Sequence, residues 1–152
     1  MTMSGRSSHP ALSRADGFAA SSSQTLLLVG RILLGWLFFV SGYGKLGNIP
    51  GTVQYFTALK MPVPEFWAWF AGFGELIIGA LLILGLATRY VALVTILWTA
   101  IATALAHRYW EYSGPAQIGQ YNNFLKNLSI IGGLLVLFVT GPGTISVDSR
   151  MK

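Results

Sequence analysis

Four apolar runs, each about twenty residues long and separated by breaks rich in Gly and Pro, constrain this chain more than any other feature of its sequence. They cover residues 24–46, 65–86, 90–107 and 122–140. Twenty residues rise roughly 30 Å as an α-helix, which is the thickness of a bilayer's hydrocarbon core. The runs therefore predict an all-α membrane protein: a four-transmembrane-helix bundle, residues 24–141, with both termini on the same side. The scarcity of charge agrees, since charged residues make up 10% of the chain against about 25% in soluble domains.

The segments around the spans follow from local chemistry. Residues 1–23, rich in Ser, Gly and Ala without apolar periodicity, read as a mobile N-terminal tail, and residues 142–152 as a short C-terminal one. A tail before Leu26-Leu27-Leu28-Val29 raises the question of a signal peptide, but no small-residue cleavage site follows and three more spans do. Pro50, Pro62 and Pro64 frame a short interfacial helix between the first two spans. Residues 85–89 form a tight turn, and residues 108–121 a polar, aromatic loop. The terminal side then carries Arg6, Arg14, Arg31, Arg89, Arg150 and Lys152, and the other side Lys45, Lys60, Arg108 and Lys126. This excess of basic residues predicts cytoplasmic termini.

Several function classes fall away. Without cysteine the chain builds no disulfide framework and runs no dithiol chemistry of its own. The net charge of +5 is spread over single basic residues, which suits lipid headgroups better than nucleic acid. His9 in the tail and His107 are the only histidines, so neither haem nor a metal site is expected.

Glu75 is the residue that asks for an explanation, because a carboxylate inside an apolar span is costly and marks a function or a partner. Helical spacing puts it on a stripe with Ala68, Gly72, Gly79 and Leu82. The first span offers Arg31, Gly35, Phe38, Gly42 and Lys45. The third offers Arg89, Leu93, Ile96, Ala100, Thr103 and His107, and the fourth Asn122, Lys126, Ser129, Gly133, Val136 and Thr140. Counting residues from the terminal side sets Glu75 level with Leu37, making Arg31 its expected partner and Lys45 a second one through water. His107, Lys45, Asn123 and Lys126 then form a separate cluster nearer the other face. For Glu75 a packing ion pair and a proton-exchanging or ligand-binding carboxyl are both open readings.

Arg31, residues 41–46, Glu75 with Gly79, residues 85–89, His107, Phe124 with Lys126, and residues 141–143 through Ser146-Val147-Asp148 together resemble the DoxX family of small bacterial integral membrane proteins. The resemblance implies a multi-pass protein of the bacterial cytoplasmic (inner) membrane. It also implies kinship with the DoxD subunit of thiosulfate:quinone oxidoreductase, and a place in an oxidoreductase or oxidative-stress complex.

Two functions follow as expectations. In one, the chain is a membrane subunit of an oxidoreductase, itself non-catalytic or quinone-interacting. A quinone-type carrier is held between its helices by Lys45, His107 and Lys126, with Glu75 and Arg31 handling a proton. In the other it is a non-enzymatic scaffold whose loops recruit a soluble or membrane partner. A homo-oligomer is compatible with both.

Overall fold

The computed structural model describes residues 10–151. Four long helices, each long and apolar enough to cross a membrane, form the body of the protein, and no strand occurs among the described residues. They are α1 (Pro10–Gly47), α3 (Pro64–Leu84), α4 (Thr88–Ala106) and α5 (Gly114–Thr140), with the short α2 (Ile49–Ala58) and α6 (Val147–Arg150) at the two ends. The all-α membrane bundle is the fold the apolar runs predict.

The prolines start helices here more often than they break them. Pro50, Pro64 and Pro115 each occupy the first turn of a helix, where the missing N–H has no acceptor to lose and the fixed φ is already helical. Asn48 completes the start of α2 by accepting from Gly51 N–H at 3.1 Å. Pro115 accounts for a difference from the sequence reading: α5 begins at Gly114, and only a 3-10 turn (Tyr109–Glu111) interrupts the segment expected to be a loop. The first helix also starts earlier than expected. Residues 10–23 are helical; the expected tail from residue 10 onward is therefore part of α1, and residues 1–9 lie outside the described residues. Their alanines favour the helix, and the Ser21 and Ser23 hydroxyls bond back to Phe18 O and Ala20 O instead of interrupting it.

The helices pack as two antiparallel pairs. In the first, α1 lies against α3 through glycines: a Cβ on Gly35 would stand 2.8 Å from Gly79 O, and one on Gly42 2.6 Å from Gly72 O. Small residues let the two backbones approach this closely. The second pair is α4 with α5. A core of Phe38, Ile78, Leu82, Val91, Ala92, Ile130, Leu134 and Leu137 joins the pairs at the end near the α3–α4 turn.

That turn end is also tied by the segment after α5. Gly85, in the left-handed region at φ 69°, closes α3, a conformation glycine adopts without strain. Ala87, at φ 49°, has no such freedom. The Asp148 carboxylate holds it, accepting from Ala87 N–H at 2.6 Å and Thr88 N–H at 2.9 Å. Asp148 thus caps α4 from sixty residues away, where α4 has no cap of its own. Gln24 accepts from Thr144 N–H at 2.7 Å, bringing α1 to the same end.

Candidate functional site

At the opposite end the two pairs separate. The space between them is a cavity of about 1350 Å³, roofed by α2 and walled by α1, α3, α4 and α5. Its polar groups cluster around Glu75, which is 9% exposed. Lys45 donates to Glu75 Oε2 at 2.6 Å and to Ser41 Oγ at 2.7 Å. Both side chains are largely shielded, 23% and 12% exposed, so the pair keeps much of its attraction.

This pairing corrects the expectation for Arg31. Arg31 is 2% exposed, and its guanidinium lies at the turn end, where it donates to Pro142 O at 2.6 Å, Ile145 O at 2.8 Å and Ile83 O at 3.3 Å. The error was one of register. The glycine contacts and the Arg31–Ile83 bond set Glu75 level with about residue 40 of α1, roughly one helical turn above Leu37. Lys45 then stands only about 7 Å farther along the axis, within reach of its own chain, while Arg31 is about 14 Å away. The span ends do not line up because α1 runs well past α3 at the turn end.

The structure also joins what the sequence kept apart. Lys45, Glu75, His107 and Lys126 all line the one cavity. His107 closes α4, its Nδ1 2.8 Å from Gln120 Oε1. Lys126 is exposed and donates to Asn123 Oδ1 at 3.1 Å; Asn123 is half-buried and is not part of the lining.

Two polar features were missed. The first is Asn127, buried, donating to Thr103 Oγ1 at 2.8 Å. It connects α5 to a ladder in which Thr103, Thr99 and Thr95 each donate to the carbonyl four residues earlier. Threonine at i, i+4, i+8 within the third span was the signal. The second is Tyr55 on α2, which lines the cavity. Burial, then the charges of Glu75 and Tyr112, push its hydroxyl above the usual tyrosine range. It therefore stays protonated, with a hydrogen to donate. Trp36, Trp67, Phe70 and Trp98 supply aromatic wall, Phe70 and Trp98 with ring centres 5.5 Å apart. Among the described residues no three His, Asp or Glu side chains converge as metal ligands.

The DoxX family profile matches residues 26–108 of this chain. The chain belongs to the DoxX family. It is 39% identical to the inner membrane protein YphA of Escherichia coli over 82% of its own length and 89% of that protein. It is 38% identical to the inner membrane protein YqjF of the same organism, over 83% and 92%. A shorter similarity, 43% identity over 44% of this chain and 47% of the other, is to the putative oxidoreductase CatD of Bacillus subtilis. No solved structure matches significantly. The segment matched to the DoxX profile contains Arg31, Lys45, Tyr55, Glu75 and His107, so most of the cavity's polar groups lie in it; Asn123, Lys126 and Asn127 lie beyond.

Proposed function

We propose that this DoxX protein is a membrane subunit of an oxidoreductase and holds a quinone-type carrier in the cavity between its helix pairs. The observation that carries the reading is the cavity itself: large, mostly apolar and aromatic, with hydrogen-bond donors collected at one end. Pockets of that make-up are where small lipophilic molecules bind in helix bundles. Lys45 has an N–H beyond those given to Glu75 and Ser41, and Tyr55 has its hydroxyl; both suit the carbonyl oxygen of a quinone. Glu75, hydrogen-bonded to Lys45, is positioned to take or give a proton beside it. The name of the similar CatD protein, a putative oxidoreductase, supports the redox class. The chain sits in the bacterial inner membrane with the turn end, which carries Arg31, Arg89 and Arg150, toward the cytoplasm, and works with a partner that supplies the electrons.

Purified protein titrated with a water-soluble benzoquinone tests this, read by quenching of the tryptophans that line the cavity. Saturable binding that weakens in Lys45→Ala and Tyr55→Phe is expected. Absence of saturation, or binding indifferent to both changes, overturns the reading and leaves the Lys45–Glu75 pair a packing device in a scaffold.

A further inference from the structure

The cavity is far larger than a quinone ring needs, and its polarity changes along its length. Pockets for drug-sized molecules run to about 1000 Å³, while this one reaches about 1350 Å³. On α1 its lining extends from Leu33 to Lys45, roughly 18 Å along the helix axis. Lys45, Glu75, Tyr55 and His107 stand at the α2 end; toward the turn end the walls are Leu33, Trp36 and Leu37 of α1. Leu33, Trp36 and Leu37 are also exposed. The apolar part of the cavity therefore opens sideways into the hydrocarbon, not toward water.

Charge narrows the head group. Glu75 neutralises Lys45, so a phosphate placed beside that pair would meet a carboxylate; the other lysine of the lining, Lys126, is exposed and bonded to Asn123. An uncharged head that accepts hydrogen bonds meets no such repulsion.

Resting on the reading above, the geometry points to a ligand that arrives through the bilayer and lies lengthwise in the cavity. Its uncharged head is at Lys45 and Tyr55, and a single long apolar chain runs against Leu37 and Leu33. The chain is part of what is recognised. Leu37, on the α1 wall about 12 Å along the helix axis from Lys45, lies on this course, and a smaller, polar side chain there weakens the contact with the chain without touching the head-group donors.

The test uses the full chain in phosphatidylcholine nanodiscs and two probes with the same dimethoxy-methyl-benzoquinone head, one bearing a ten-carbon chain and one bearing none. Affinities from tryptophan quenching are expressed per mole fraction of probe in the bilayer, which removes the effect of partitioning. The chain-bearing probe is expected to bind about tenfold tighter, worth about 1.4 kcal/mol. Leu37→Ser is expected to reduce that advantage to about threefold or less and leave the ring-only probe unchanged. Equal affinities in the unaltered protein overturn the inference while the head-group site stands; failure of both probes to saturate overturns the head-group reading itself. A phospholipid that co-purifies and that neither probe displaces overturns it in favour of a two-chain occupant. If Leu37→Ser lowers thermal stability, Leu33→Ser, at an exposed wall position, carries the same comparison.

Discussion

Lys45 Nζ lies 2.6 Å from Glu75 Oε2, thirty residues away in sequence, across a helix crossing that glycines hold closed. The pair is shielded on most sides, so each charge depends on the other. Removing one partner of a buried pair leaves an uncompensated charge and costs on the order of 3 kcal/mol, whereas replacing both with apolar groups is often nearly neutral. Lys45→Met is therefore expected to lower the melting temperature in detergent clearly, and Lys45→Met combined with Glu75→Leu to recover most of the loss. A double variant as unstable as the single one would show that the pair does not act as a unit.

Glycines on α1 separate into two kinds. An added Cβ at Gly42 would meet Gly72 O and the backbone of Leu76, atoms that cannot step aside, whereas one at Gly44 has nothing within 4 Å. Gly42→Ala is expected to cost about 1–3 kcal/mol by forcing α1 and α3 apart. Gly44→Ala is expected to gain about 0.5–1 kcal/mol, because Ala loses less backbone freedom in a helix. Chemical denaturation of the two variants side by side checks the opposite signs.

The sequence made some faces legible and misled about others for a consistent reason. In α1 and α3 the stripes Arg31-Gly35-Phe38-Gly42 and Ala68-Gly72-Glu75-Gly79-Leu82 are the buried faces, because glycines at steps of three and four mark a close helix contact directly. In α4 the stripe was hung on Arg89 and His107, which sit at the helix ends where long or polar side chains turn toward the interface whichever face they start from. Of that stripe only Thr103 is buried; the buried face runs through Thr88, Ala92, Thr95, Thr99 and Thr103. In α5 Lys126 misled in the same way: the buried face runs through Asn127, Ile130, Leu134 and Leu137. Depth along the axis was illegible because it depends on how far each helix overruns its neighbour, which hydrophobicity does not encode.

Asn127 gives the α4–α5 contact its polar link. Its amide donates to Thr103 Oγ1, and Thr103 still donates to Thr99 O when that amide is gone. Asn127→Leu thus leaves no orphaned donor, and interhelical hydrogen bonds in membranes are worth about 0.6 kcal/mol on average. A loss within about 1 kcal/mol is expected, with Thr103→Val adding little on top. A strongly additive pair, measured as a double-mutant cycle, would contradict a shared bond.

Asp148 makes the turn end sensitive to acid. Burial raises its carboxyl, but the hydrogen bonds from Thr88 and Ala87 and the charge of Arg31 outweigh it, leaving the folded value below the usual 3.8. A carboxylate depressed in the folded state contributes stability that is fully present above its unfolded value and is lost as pH falls through the folded one. The contribution is thus complete at neutral pH and begins to fail below about pH 4. Asp148→Ala is expected to cost about 1 kcal/mol at pH 7, as the loss of a helix cap does. Asp148→Asn keeps one acceptor for the Ala87 N–H and cannot titrate. Melting temperatures at pH 7 and pH 3 should fall further for the unaltered protein than for Asp148→Asn. Equal falls in the two would place the acid sensitivity in another carboxylate.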